Sequence, residues 1–247
     1  MTAGGETSWP GRRLLVVSAH AADFVWRAGG YIALTSTAGA EAHVVCLSFG
    51  ERGESPGAWA EPGITLDVVK KTRQAEAEQA GYVLGAIMHF LDKGDHPLPG
   101  SQQTALELAT LMRGIAPDVI VTHAQADPDN YDHSVAADLT VRARAIAQAP
   151  GRESAHPPLG APPVFRFEPH QPEMCGFRPD VLVDVTPVFH RKTAAMAAFR
   201  SQQDLVRYYT AMAERRAVHA VRNGGPASIR YAEAYQRVFP QVSAVLA

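Results

Sequence analysis

The first uninterrupted apolar stretch of the chain is RLLVVSA at 13–19, aliphatic and β-branched throughout and closed by polar residues. A run with no polar face predicts a strand covered on both sides. After polar positions 20–23 the spacing predicts a helix over 25–37, and AHVVCLS at 42–48 reads as a second buried strand, which completes a βαβ unit. The alternation continues with a polar helix over 66–84, a short strand at 87–92 (IMHFLD), a helix over 102–114, a strand at 118–123 (DVIVTH) and a helix over 134–148. Parallel strands need such helical crossovers. The expected fold is therefore α/β, a doubly wound and mostly parallel sheet with helices on both faces. Beyond the Pro/Gly-rich loop APGRESAHPPLGAPP, the segments VFRFEP and VLVDV supply further strands, and the C-terminal stretch reads as mostly helical.

Composition narrows the class. With 247 residues, 46% hydrophobic and 19% charged, the chain can bury a sizeable core, which excludes a disordered or fibrous protein. One domain over 1–247 is expected, with the first ten or so residues disordered. Lys and Arg total 23 against 25 Asp and Glu, so no basic field points to nucleic acid or to an anionic membrane. No apolar run approaches a membrane span, and no charged-then-apolar leader is visible, so a cytoplasmic protein is expected. Cys46 and Cys175 form no C-x-x-C pair, and Cys46 lies in an apolar run where it packs as a small hydrophobe.

In parallel sheets ligands bind beyond the carboxyl ends of the strands. Those ends carry His20 and Asp23 after the first strand and Ser48, Glu51, Arg52 and Glu54 after the second. Asp92, Asp95 and His96 follow the third, and His123, Asp127, Asp129, Asn130, Asp132 and His133 the fourth. His20, Asp23 and His133 can share one cation. Two imidazoles and a carboxylate leave a coordination position open, as catalytic zinc sites do. Asp132 or Asn130 can support them from behind. Read from spacing alone, His20 is equally a polar residue beside a helix and Asp23 the N-cap of that helix.

The stretches VVSAHAADFVWRAGG, THAQADPDNYDH and DVTPVFHRKTAAMAAFRSQ together resemble the LmbE-like, or PIG-L, superfamily of zinc-dependent de-N-acetylases. The resemblance spans about 14–202, with YAEAY at 231–235 echoing a C-terminal family element. It implies Zn²⁺, or another divalent metal, held by His20, Asp23 and His133. It also exposes a departure. Ala22 occupies the position of the aspartate that serves the deacetylases as general base, and a methyl group takes no proton. Asn130 stands where some of them carry an oxyanion-stabilising histidine, while Lys192, Ser201 and Gln202 match a family helix whose plain reading is scaffold. AHAADFVWRAGG, LSFGERGES, DPDNYDH and FEPHQPE resemble more closely the 4-oxalomesaconate hydratase branch, which adds water to a tricarboxylic oxo acid in gallate and protocatechuate catabolism.

Hydration of a double bond conjugated to a carbonyl needs an electrophile, a base for water and an acid for the adjacent carbon. A divalent cation meets the first need. Glu54, His170 and Glu51 are the acid–base candidates, the first two favoured; the alternative for the glutamates is a solvated turn. A substrate with two or three carboxylates asks for cations, so Arg52 is expected as a clamp, with Arg27 second, and Asn130 and His123 are expected to line the pocket. The resemblance also implies a homo-oligomer. The competing activity is zinc-dependent de-N-acetylation of an N-acetylglucosaminyl conjugate.

Overall fold

The structure is a computed structural model that describes residues 11–244. The segment expected to be disordered, the first ten or so residues, lies outside them.

Seven strands form one sheet in the order β3-β2-β1-β4-β5-β7-β6. They are β1 (Arg13–Ser18), β2 (Glu41–Cys46), β3 (Ala86–Phe90), β4 (Val119–Thr122), β5 (Val164–Phe167), β6 (Val181–Asp184) and β7 (Ala232–Arg237). The first five are parallel and in register, Leu14 facing Ala42 on one side and Val119 on the other, whereas β7 runs antiparallel to both β5 and β6. The doubly wound, mostly parallel expectation is met. The strand β7 is the element the sequence reading absorbed into a helical C-terminus, because AEAYQR is only six residues long and carries charge at Glu233 and Arg237.

The described residues form seven α-helices, α1 (Asp23–Thr37), α2 (Pro56–Trp59), α3 (Leu66–Leu84), α4 (Gln102–Ile115), α5 (Tyr131–Gln148), α6 (Phe189–Met196) and α7 (Asp204–Arg222), of which the one-turn α2 buries no residue. Alternation along β1 decides which face each residue serves. Leu14 and Val16 pack with Phe24 and Val25 of α1, Ala80 and Leu84 of α3, Met196 of α6 and Tyr209 of α7. Leu15 and Val17 pack with Leu108 and Met112 of α4 and Leu139 and Ala143 of α5. Every one of these four β1 residues is fully buried, which is why the run carries no polar position.

Helix α1 begins at Asp23, two residues before the expected start, and its cap position is Ala22, with no side-chain hydrogen bond. Asp23 is therefore a first-turn residue and not the N-cap, and its carboxylate sits at the positive end of the helix. In mid-helix, Gly30 lets a strand approach: a Cβ there would lie 2.6 Å from Val185 Cγ1 and 2.9 Å from Glu233 Oε1.

The chain leaves β1 outward to β2 and β3, then returns to place β4 on the other side of β1. That reversal opens a crevice between the carboxyl ends of β1 and β4, the position at which open α/β sheets bind ligands.

Candidate metal centre and active site

Both segments that flank the crevice deliver its side chains. The turn after β1 carries His20 and α1 starts with Asp23; the loop after β4 runs through Asp127 into α5, whose first turn holds His133. Asn130 caps α5 by accepting the Asp132 N–H at 3.1 Å. All of His20, Asp23 and His133 are buried. His20 Nδ1 lies 3.3 Å from Asp23 Oδ2, and His133 Nε2 lies 3.4 Å from Asp23 Oδ1.

The remaining nitrogens explain how the rings are held. His20 Nε2 meets Asp132 Oδ2 at 3.3 Å, and His133 Nδ1 meets Asp127 Oδ2 at 2.8 Å. Asp132 is itself fixed by the Leu98 N–H at 2.8 Å and the His96 N–H at 2.9 Å. The nitrogens that face Asp23, His20 Nδ1 and His133 Nε2, have no hydrogen-bond partner although both are buried. Each imidazole thus spends one nitrogen on a carboxylate and turns the other, which has no hydrogen-bond partner, toward Asp23. That is how carboxylate–histidine pairs orient metal ligands, and two imidazoles with one carboxylate suit a zinc-sized divalent ion. The donor set fits the cation that the sequence resemblance implies. Among the described residues, the groups whose ligand atoms all lie within 4.8 Å of one another are His20, Glu54 and His133, then Asp23, His123 and His133, and also His20, His96 and Asp132, so the expected trio is divided between the first two; Glu54 Oε1 is 3.9 Å from His20 Nδ1.

Charge follows the same geometry. Burial alone would push His20 down, but the carboxylates of Asp132, Asp23 and Glu54 outweigh it and raise the ring to about 10. Burial would raise Asp23, yet its neighbours, the His133 ring foremost, hold it well below the usual carboxylate range. His123 is pushed down to about 3 by burial and by His133 stacked against it at 4.3 Å. It is a neutral ring whose Nε2 accepts the Ala19 N–H at 2.9 Å and approaches Asp23 Oδ2 at 3.4 Å.

A cavity of about 250 Å³ opens above this trio and is lined by His20, Ala22, Asp23 and His133 together with Glu54, His170, Arg27 and Asn130. So the structure brings together seven of the ten residues singled out in the sequence. His123 is close but lies beneath Asp23, outside the lining. Glu51 and Arg52 also stay outside. Glu51 is fully buried in its own loop, accepting the Phe49 N–H at 3.1 Å, and Arg52, with its side chain 46% exposed, pairs with Glu51 at 3.2 Å and Asp95 at 3.6 Å. These three staple the loop that carries Glu54. Asp95 adds bonds from the Arg52 and Gly53 N–H groups at 2.9 and 2.8 Å, and the His96 ring fills the space where a Cβ on Gly53 would sit. The GERGES segment is a built loop, not a solvated turn.

Asn130 does not present a free amide to the cavity: its Nδ2 donates to Glu54 Oε1 at 2.6 Å. His170 is held by Tyr208 and Tyr209. The Tyr208 ring stacks on it at 4.2 Å and its hydroxyl donates to the His170 carbonyl, while the Tyr209 hydroxyl lies 3.4 Å from Nδ1. Burial and the Arg27 guanidinium push His170 below its ordinary value. The sequence reading missed Trp26, Arg73 and Tyr209 in the lining, and it left Gln202 as scaffold. Trp26 and Tyr209 look like core aromatics in sequence, and Arg73 lies within a polar helical surface, KKTRQAEAE; none carries a local signal. Asp127 and Asp132 stand in the polar run DPDNYDH, but their division of labour, one carboxylate per histidine, follows only from the fold.

Comparison with known proteins gives the family. Residues 15–144 match the family described as PIG-L: GlcNAc-PI de-N-acetylase. The chain is 48% identical to a 4-oxalmesaconate hydratase of Pseudomonas putida KT2440 across 96% of its own length and 93% of the relative's. The crystal structure of GalB, the 4-carboxy-2-hydroxymuconate hydratase from Pseudomonas putida KT2440, superposes with a TM-score of 0.93 at 47% identity, covering 96% of this chain and all of that one. An N,N'-diacetylchitobiose deacetylase from Pyrococcus horikoshii shares the fold, with a TM-score of 0.77 at 21% identity over 92% of this chain and 84% of its own. The chain is a member of the PIG-L, or LmbE-like, family.

Proposed function

We propose that the protein is a metal-dependent hydratase that adds water across the carbon–carbon double bond of 4-oxalomesaconate, giving 4-carboxy-4-hydroxy-2-oxoadipate. The observation that carries this reading is the 48% identity, over 96% of the chain, to a 4-oxalmesaconate hydratase. The cavity supports it independently. Ala22 lines it where a deacetylase needs its proton acceptor, so de-N-acetylation has no base at that position.

His20, Asp23 and His133 hold the cation in this reading, with zinc the ion that best suits the donor set. When bound, it supplies Lewis-acid polarisation of the oxo group conjugated to the double bond. Glu54 takes a proton from the attacking water, and its carboxylate is oriented for this by the Asn130 amide. The hydroxyl oxygen adds to one carbon of the double bond while His170, backed by the Tyr209 hydroxyl, gives a ring proton to the adjacent carbon, and the proton taken up by Glu54 restores it before the next turnover. Recognition of the acid falls to α1. Trp26 Nε1 and Arg27 Nε are buried donors without hydrogen bonds, Arg27 Nε lying 3.6 Å from Asp23 Oδ1, and both residues line the cavity, so a substrate carboxylate can take up these donors. On the same reading the substrate is an intermediate of gallate and protocatechuate catabolism, and the enzyme is cytoplasmic and homo-oligomeric. Among the described residues no helix is long and apolar enough to cross a membrane.

The deciding experiment offers the zinc-loaded protein 4-oxalomesaconate and, separately, an N-acetylglucosaminyl conjugate. Loss of the conjugated chromophore with formation of the hydroxy acid is expected. Acetate release without hydration overturns the proposal.

A further inference from the structure

Glu54 has its second carboxylate oxygen engaged as well. Gln202 Nε2 lies 3.4 Å from Glu54 Oε2, opposite the Asn130 amide on Oε1 at 2.6 Å. Both partners are amides, which can turn either an NH₂ or a carbonyl toward a carboxylate. For Asn130 the choice is fixed by the Asp132 N–H, which takes up the Asn130 carbonyl at 3.1 Å. For Gln202 it is fixed by Arg73, whose Nη2 donates to Gln202 Oε1 at 3.3 Å. Turned the other way, the Gln202 NH₂ would face a guanidinium and its carbonyl oxygen a carboxylate. Arg73 therefore decides that the group meeting Glu54 is a donor.

Arg73 does more than hold one amide. It is 1% exposed, among the least accessible charged residues of the chain. Its Nε donates to the Phe49 carbonyl at 3.3 Å, at the start of the loop that carries Glu54, and its Nη1 donates to Ser201 Oγ at 3.2 Å and to Glu76 Oε2 at 3.1 Å. The guanidinium lies 5.0 Å from the centre of the Phe199 ring. One planar fork thus ties the backbone leading to Glu54 to the turn at Arg200–Gln202 that contacts the Glu54 carboxylate. A lysine has a single point donor and cannot reproduce this set.

We propose that Arg73, acting through Gln202, is a positioning residue for the Glu54 carboxylate in the hydration step. The inference rests on the reading of Glu54 as the base. It assigns to an arginine 19 positions along the chain, and to a glutamine far beyond it, the task of keeping both Glu54 oxygens as acceptors aimed into the cavity.

The test is a double-mutant cycle on the zinc-loaded protein with Gln202→Met, Arg73→Lys and the double variant, with Glu54→Gln in parallel. Gln202→Met is expected to lower kcat about tenfold to a hundredfold, with KM changed less than about threefold and zinc content and Tm close to the parent; the range is that of outer-shell partners in general. Arg73→Lys is expected to match it in kcat at a lower Tm. Because both act along one chain of bonds, the double variant is expected to be no slower than the worse single one. An unchanged kcat in Gln202→Met, or losses that multiply in the double variant, overturns the proposal while Glu54→Gln remains inactive. An active Glu54→Gln instead removes the base assignment on which it rests.

Discussion

Two buried polar clusters meet on α1. Around its first turn lie His20, Asp23, His133, Trp26 and Arg27; at its middle, Glu233 of β7 reaches in. Glu233 accepts four donors, the Gly30 and Tyr31 N–H groups at 2.7 and 2.9 Å, Lys192 Nζ at 2.7 Å and the Tyr235 hydroxyl at 2.7 Å. Nothing in that cluster is left open. In the crevice the opposite holds. Among the described residues five buried side-chain atoms lack a hydrogen-bond partner, and four belong to cavity-lining residues: His20 Nδ1, Trp26 Nε1, Arg27 Nε and His133 Nε2. An unsatisfied buried group costs about 1–3 kcal/mol, so a chain that satisfies every bond at the middle of the helix and leaves four open at its start is equipped there to receive a ligand. Burial and charge are common to both clusters; completeness separates a structural pin from a site.

Substitutions can break this contrast, and the largest effect is expected at Asp23. Asp23→Ala should abolish zinc binding and hydration together, a loss of well over a hundredfold, since removing even an outer partner of a metal ligand costs about 10–100-fold. Zinc content after dialysis and turnover check it, and full zinc occupancy in the variant would break the comparison. At the pin, Lys192→Met should cost about 3–5 kcal/mol in denaturant unfolding, the scale for removing one partner of a buried ion pair. The folded fraction should keep its zinc affinity. Asp127→Asn comes next. It loosens His133 without removing a ligand, so zinc affinity should fall about 10–100-fold in competition with a chelator of known affinity, with the fold intact. Arg27→Lys keeps the charge but loses the fork, and KM for the tricarboxylate should rise about tenfold while kcat changes less; an unchanged KM takes Arg27 out of substrate recognition.

Ala22 sharpens the comparison from the other side. Ala22→Asp places the deacetylase carboxylate in a cavity that already holds Asp23 and Glu54. It should slow hydration, measured as kcat on 4-oxalomesaconate, without producing acetate from an N-acetylglucosaminyl conjugate, because the cavity wall differs too.

Much of the molecule was legible in the chain because local rules wrote it there. RLLVVSA has to be a strand buried on both faces, and α3 begins and ends where Thr65 caps it and Gly85 at φ 72° stops it. His20, Asp23 and His133 were legible because each stands at a strand's carboxyl end or the helix start that follows. What escaped depends on distance along the chain. β7 pairs with β5 and β6, which end at Phe167 and Asp184, far back along the chain, so its short pattern reads as strand only once those partners are present. GERGES shows two glutamates in equivalent surroundings. Only packing against Asp95, Lys70 and the His96 ring buries Glu51 in the loop and leaves Glu54 facing the cavity.

Sequence alone thus determined the sheet's first five strands, the polar residues gathered at their carboxyl ends, and an alanine at position 22 among them. Tertiary structure decided which nitrogen of each imidazole lacks a hydrogen-bond partner, which carboxylate holds each ring, and which glutamate faces the cavity. Hydrophobic period and capping act over a few residues and are written locally. Hydrogen-bond completeness is a property of groups that the fold gathers from positions such as 54, 73, 130 and 202, and no window along the chain contains them all.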